Sequence, residues 1–166
     1  MTYPFMPQGL IPITVGEPRL GTTAVTEWIN VAEAEMVWLD FYATVAAAAA
    51  IVFTPRKAYA AAGTGTAVLG FNCPLWAGNA VAGAALTLTK QADAANFTTA
   101  ATAGVHRAIF QLDPRALGWE ATVPSLGEYK YITGLITALV ADYVCVTAWV
   151  LPRYSSISPA STRWIV

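Results

Sequence analysis

EMVWLDFYATVAAAAAIVFTP, residues 35–55, is the stretch that decides the fold of this chain. Every second side chain in its first half is apolar, in a set formed by Val37, Leu39, Phe41 and Ala43. A period of two places these side chains on one face of a β-strand and is not typical of a helix. After Val45, five alanines precede the β-branched and aromatic residues 51–53. We therefore interpret residues 35–55 as two strands, joined at the alanines, in the middle of a sheet.

The second face of this first strand is also apolar, because it carries Met36, Trp38 and Tyr42 beside Asp40. A strand that is apolar on both faces is covered on both faces. The final strand-like segment, residues 141–151, repeats the pattern, with Trp149 on the face opposite its valines. We expect the outer faces of these two strands to form a subunit interface through Met36, Trp38, Tyr42 and Trp149.

The composition also indicates shielded surfaces. The 166 residues fit one domain. They are 56% apolar and 11% charged, against about 45–50% and about 25% in ordinary soluble domains. So few charges are typical of a membrane protein or of a subunit that is covered by partners. The longest apolar run, residues 45–53, is about half of what a membrane-spanning helix needs. We therefore expect a subunit of a large assembly, without a membrane partner.

Charge and cysteine usage exclude further classes of function. The net charge of −1 provides no basic stripe, so direct binding to nucleic acid is not expected. Residues 1–10 lack the basic start and continuous apolar run of a signal peptide. Cys73 and Cys145 stand far apart, which favours buried free thiols over a disulfide or a metal site. These features fit synthesis in a reducing cytoplasm.

Both ends of the chain are predicted to be extended arms around a core formed by residues 19–151. Residues 1–18 contain four of the ten prolines and no charged side chain before Glu17. Proline removes backbone donors and fixes φ, so this segment is neither a helix nor a central strand. We expect its apolar side chains to pack against a protein surface, either that of its own domain or, as we favour, that of a neighbour. Residues 152–166 form the second arm. The interface residues predicted in the arms are Tyr3, Phe5, Met6, Leu10, Ile11, Tyr154, Trp164 and Ile165.

The rest of the chain is predicted to form short strands separated by turns. Residues 86–90, 105–113 and 128–140 have strand character, and residues 91–104 form a long polar loop. Seven to nine such strands predict an all-β fold, either an antiparallel β-sandwich or a jelly-roll-like barrel. Little helix is expected.

No pattern of catalytic or metal-binding residues is present. His106 is the only histidine, and alternation places it on the core side with Ala108 and Phe110, where a structural role is favoured. A single histidine and scattered thiols do not make a usual zinc site, and no calcium loop occurs. We therefore predict no enzyme activity, metal or cofactor, although two carboxylates could still meet in space as in glycosidases. The six tryptophans suit interface anchors, and an aromatic groove for sugar is the competing use.

Several loose motifs follow one another along residues 20–150. They are TPRKAY (residues 54–59) with GTG (63–65), then PLWAGN (74–79), and then LTLT (86–89) with DAANFTT (93–99). This order resembles a group of small structural proteins of tailed bacteriophages.

The resemblance implies a virion component, and we predict a decoration (cement) protein that binds and stabilises the major capsid shell. Its expected partners are further copies of the chain and the major capsid protein. It would be made in the host cytoplasm and lie on the capsid surface. The alternatives are a tail or head–tail connector subunit and a carbohydrate-binding β-sandwich on the virion surface. The resemblance carries over no catalytic residues.

Overall fold

The computed structural model describes residues 11–19, 23–25, 27–46, 48–81, 84–118, 127–138 and 143–153. Within these ranges the chain forms twelve β-strands and one short 3-10 helix. The strands are β1 Ile11–Arg19, β2 Thr23–Val25, β3 Ile29–Asn30, β4 Ala34–Val45, β5 Ile51–Ala58, β6 Ala67–Val68, β7 Leu75–Ala80, β8 Thr89–Lys90, β9 Phe97–Thr98, β10 Gly104–Leu112, β11 Tyr131–Ala138 and β12 Tyr143–Pro152. The 3-10 helix spans Pro114–Leu117.

The strands form two antiparallel sheets that pack face to face. The first sheet has the order β1-β12-β4-β10-β7-β8. The second has the order β2-β11-β5-β6, with β3 also paired to β11 and β9 to β5. This arrangement confirms the predicted β-sandwich, and the sheets do not close into a barrel.

The core lies between the sheets around Phe41. The Phe41 ring stacks on Phe53 of the opposite sheet, with 5.4 Å between ring centroids. Phe110 meets it edge-on at 5.5 Å. Gly134 of β11 makes room for this ring, because a Cβ there would lie 2.7 Å from Phe41 Cε1. Aromatic pairs in these geometries are favoured beyond their buried area, so this cluster holds the two sheets in their relative position.

The faces of the central strands are those that the alternation predicts. In β4, Val37, Leu39, Phe41 and Ala43 are all fully buried on the core side. The same holds for His106, Ala108 and Phe110 of β10. The inner residues of β12 are likewise buried: Val144, Val146, Ala148 and Val150.

The prediction that the two strands in residues 35–55 lie in the middle of one sheet is wrong. Both strands exist, but β4 lies in the first sheet and β5 in the second, so the alanine-rich segment crosses between sheets. Each strand takes its neighbours from distant parts of the chain, β4 from β12 and β10 and β5 mainly from β11. The reason is that both inner faces are apolar. Placing them in opposite sheets buries each against the other.

The first sheet begins at Ile11, inside the segment assigned to the N-terminal arm. Strand β1 pairs with β12 of the same chain, with Ile11 opposite Val150 and two irregularities after Thr14 and Gly16. Its place at the sheet edge suits Pro12 and Pro18, which cannot donate to a second neighbour. At the other end of the chain, β12 continues to Pro152. Residues 1–10 and 154–166 lie outside the described ranges.

Two other strand boundaries differ from the sequence prediction. Of residues 86–90 only Thr89 and Lys90 pair, with Ala77 and Trp76 of β7. In the segment 128–140 the strand begins at Tyr131, three residues later than predicted, and its described part runs to Ala138. The polar stretch 91–104 is largely irregular as predicted, but it contributes β9 to the second sheet.

Candidate interface on the outer face of the first sheet

The outer side of β12, β4, β10 and β7 is rich in large apolar side chains, and we call it the aromatic face. Register places Trp149, Trp38 and Gln111 in one row across β12, β4 and β10. The next row joins Thr147, Asp40, Ile109 and Trp76. The large side chains of the aromatic face are Met36, Trp38, Tyr42, Trp76, Ile109, Tyr143, Trp149 and Leu151.

Two tryptophans face each other at the centre of the aromatic face. Trp38 and Trp149 are direct cross-strand partners, and Leu151 lies opposite Met36 beside them. The Nε1 atoms of both tryptophans are buried and have no hydrogen-bond acceptor within the described part of the chain. A buried donor without an acceptor costs about 1–3 kcal/mol. Both atoms are already buried within the single chain, and Trp38 is only 3% exposed, so the centre of the aromatic face is covered by the chain itself.

One ion pair lies within the apolar surroundings. Arg107 donates from Nε to Asp40 Oδ1 at 2.8 Å and from Nη2 to Oδ2 at 2.5 Å. Asp40 is only 8% exposed, whereas the Arg107 side chain is about a third exposed. The hydrogen bond to Asp40 raises the pKa of Arg107 above its usual value. This bidentate geometry holds the guanidinium in the plane of the carboxylate. A charged pair therefore lies within the mainly apolar face.

The rim of the aromatic face is partly open to solvent. Tyr42 is 38% exposed and Tyr143 is 52% exposed. On the far side, Lys90 lies over the Trp76 ring at 5.2 Å from its centroid. Gln111 points its amide at Met36 Sδ, 3.7 Å away. Exposed tyrosines are among the side chains in which protein interfaces are enriched.

The structure brings four of the predicted interface residues together, namely Met36, Trp38, Tyr42 and Trp149. Ile11 begins β1 at the edge of the same sheet, and its side chain is outside the described set. The other predicted residues lie outside the described ranges: Tyr3, Phe5, Met6, Leu10, Tyr154, Trp164 and Ile165.

Sequence reasoning missed Trp76, Ile109 and the Asp40–Arg107 pair. The alternation predicts the faces of the strand that contains Ile109, with His106, Ala108 and Phe110 on the core side. What was missing was the neighbour of that strand, because only the register shows that Asp40, Ile109 and Trp76 share one row.

The surroundings of the two cysteines suit a structural role. Cys73 is buried, donates to the Ala94 carbonyl at 3.4 Å, and has its pKa raised to about 12 by burial and, less, by Asp93. Burial also raises the pKa of Cys145, which is half-buried. Cys73 is a free thiol, and a raised pKa keeps a thiol protonated and unreactive. No cluster of three or more His, Cys, Asp or Glu suited to a metal ion occurs among the described residues.

A group of charges lies at one end of the sandwich. Arg115 hydrogen-bonds Asp113 with 3.0 Å from Nε to Oδ1, and its Nη2 lies 3.5 Å from Glu35. Arg153 approaches the same Glu35 at 3.7 Å. The Arg115 hydrogen bond lowers the pKa of Asp113. These cations and anions pair with one another at this end of the sandwich.

No protein-family model matches the chain, and neither the curated proteins nor the solved structures contain a match. Within the described ranges, no helix has the length and apolar character required to cross a membrane.

Proposed function

We propose that this chain is a structural protein of a bacteriophage virion, a decoration protein that binds the outside of the major capsid shell and stabilises it. The observation that supports the proposal most is the pair of exposed tyrosines on the rim of the aromatic face, Tyr42 at 38% and Tyr143 at 52% exposure. A face of this composition on a chain with only 11% charged residues fits permanent contact with neighbours. The phage assignment itself comes from the motif resemblance.

In this proposal the aromatic face joins copies of the chain into small oligomers. The segments 1–10 and 152–166 then attach the oligomer to neighbours or to the capsid lattice. A ligand that binds only the assembled shell stabilises it by RT ln(1 + [L]/Kd), which is about 2.7 kcal/mol at a hundredfold excess over Kd. Several weak attachments on one oligomer add avidity. No catalytic step, cofactor or nucleic-acid contact is part of this mechanism.

The test is binding of the purified chain to undecorated capsids, measured by co-sedimentation, together with its oligomeric state by analytical ultracentrifugation. The Tyr42→Ser/Tyr143→Ser variant removes two exposed aromatics from the aromatic face. We expect its self-association and capsid binding to weaken by about tenfold or more, because aromatic anchors at interfaces are each worth more than about 1 kcal/mol.

The matched control is Val68→Ser/Val81→Ser. These valines are 52% and 59% exposed and lie outside the aromatic face, so this variant should bind as the wild type does. The proposal is overturned if the wild-type chain is monomeric and does not bind to capsids. Copy number in native particles separates a decoration protein, with hundreds of copies expected, from a tail or connector subunit with few.

A further inference from the structure

We propose that Arg107 on the aromatic face binds the carboxylate of a Glu side chain on a neighbouring copy of this chain. The site consists of Arg107, Tyr42 and Tyr143, and we call it the arginine patch. Register places Arg107 directly opposite Tyr42, and Tyr143 lies diagonally across from Tyr42 on β12. The inference rests on the proposed function, because it names the chemistry by which the aromatic face joins copies.

Asp40 uses only one edge of the Arg107 guanidinium. A guanidinium has five N–H donors in a fixed planar fork. Asp40 accepts one bond from Nε and one from Nη2, which leaves both Nη1 donors and the second Nη2 donor. No other acceptor bonds to them within the described part of the chain. The free edge between Nη1 and Nη2 matches the two oxygens of a second carboxylate.

The charge that a neighbour meets at the arginine patch is positive. Among the described residues on the outer side of β4, β7, β10 and β12, Asp40 is the only acidic residue and Arg107 the only basic one. The Arg107 side chain is 35% exposed, whereas that of Asp40 is 10% exposed. An approaching chain therefore meets the cation of the pair rather than the anion, and a negative group is complementary to it.

Asp40 also fixes the guanidinium before a partner arrives. The hydrogen bond to Asp40 raises the pKa of Arg107, and the nearby Tyr42 adds a smaller contribution in the same direction. A group that is already oriented loses less conformational freedom on binding. A second carboxylate can use the free edge without displacing Asp40, so the buried acid stays paired.

The two tyrosines supply the apolar part of the contact. Tyr42 is 38% and Tyr143 is 52% exposed. Tyrosine and arginine are enriched among the residues that dominate binding energy at interfaces. Rings that exclude water from an ion pair also strengthen its electrostatic attraction. The fitting surface is therefore a carboxylate with apolar neighbours.

The chain itself offers matching carboxylates. Glu27 and Glu128 are exposed, and neither takes part in an ion pair among the described residues. They precede β3 and β11, strands of the second sheet. A contact from the arginine patch of one copy to either glutamate of the next is head-to-tail, and such contacts close into a ring when the rotation permits. A small ring agrees with the oligomers of the proposed function.

Self-association of the full chain, measured by analytical ultracentrifugation, tests this contact. Arg107→Lys keeps a positive charge beside Asp40 but removes the second donor edge, and we expect its dissociation constant to rise about tenfold or more. Glu27→Gln/Glu128→Gln removes both carboxylates and should weaken association similarly. This second variant changes only exposed side chains, so it remains informative should Arg107→Lys unfold the chain. Arg56→Lys, which alters a half-buried arginine of β5, is the matched control and should associate normally.

A peptide titration tests the arginine patch without assembly. The probes are the blocked tripeptides Leu-Asp-Leu and Leu-Asn-Leu, added to the Glu27→Gln/Glu128→Gln variant while ¹⁵N NMR records the Arg107 Nε–H resonance. We expect the Asp peptide to shift this resonance saturably, with a Kd of about 10 mM or below. The Asn peptide should bind at least about tenfold more weakly, because it lacks the charge and the second acceptor oxygen.

The proposal is overturned if either Arg107→Lys or Glu27→Gln/Glu128→Gln associates as tightly as the wild type, or if the wild-type chain is monomeric. It is equally overturned if the Asp peptide causes no saturable shift or the Asn peptide matches it. Normal self-association of Arg107→Lys would refute this inference and leave the proposed function standing. Self-association through the arginine patch without any capsid binding would refute the decoration role alone.

Discussion

Asp40 is the residue on which the polarity of the aromatic face depends. It is buried, and its two oxygens both accept from Arg107. Burying a charge is unfavourable unless the partner is well placed, and removing one partner leaves the other uncompensated. At the residue scale, the pair therefore restricts what can cover this face. A covering chain must not compete for either group.

The Asp40–Arg107 pair should behave as a coupled unit. Asp40→Asn is expected to lower the free energy of unfolding by about 1–3 kcal/mol, less than for a fully buried pair because solvent screens the exposed part of Arg107. The double variant Asp40→Leu/Arg107→Met should lose less than Asp40→Asn alone, since it leaves no unpaired charge. Urea unfolding at neutral pH measures both. If the double variant loses as much stability as Asp40→Asn, or more, the two groups are not coupled.

At the scale of elements, the 3-10 helix Pro114–Leu117 shows how a local cap joins an electrostatic group. Asp113 precedes the helix, and its Oδ1 accepts from the Arg115 amide at 2.9 Å. The side chain of Arg115 bonds the same carboxylate. The pKa of Asp113 is lowered first by this side-chain hydrogen bond. A lowered folded-state pKa means that the stabilisation is present above the ordinary pKa of Asp and is lost as the pH falls through the lowered value.

The Asp113 cap should therefore stabilise the protein at neutral pH and not in strong acid. Asp113→Ala should cost about 0.5–2 kcal/mol at pH 7, towards the low end because the partly exposed ion pair is screened. Asp113→Asn retains a capping oxygen and should cost less. Chemical unfolding at a series of pH values should show the wild type and Asp113→Asn converging in acid. A constant difference across the series would contradict the charge argument.

The sequence predicts which face of a strand is buried better than it predicts which strands are neighbours. Alternation identified the inner residues of β4, β10 and β12, because burial on one face requires a period of two in any sheet. It could not place β5 in the other sheet, since partners are chosen among distant segments. For the same reason Trp38 and Trp149 were predicted as interface residues from their own strands, whereas Trp76 was missed.

At the scale of the whole molecule, the first sheet carries two different surfaces. Its inner face is a closed core around Phe41, and its outer face holds the aromatic residues that we assign to contacts between subunits. These surfaces share strands β7 and β10 but not side chains, since alternate residues point in opposite directions.

Removal of residues 2–10 should separate folding from assembly. Strand β1 begins at Ile11, so the deletion leaves the pairing of β1 with β12 in place, and we expect a thermal unfolding midpoint close to that of the full chain. Capsid occupancy should fall, because the deleted residues include the apolar side chains assigned to the arm. Cryo-EM of particles incubated with each form measures occupancy. Unchanged occupancy would count against a role for the arm.

The edges of the two sheets have a consequence for how the protein can aggregate. The long edge strand β1 contains Pro12 and Pro18 and two register irregularities, and the other described edges, β8, β2 and β6, are two or three residues long. Such borders resist strand addition, the route by which β-rich proteins grow into amyloid. Even at high local concentration, such a protein can associate through the outer face of its first sheet without adding strands at the sheet edges.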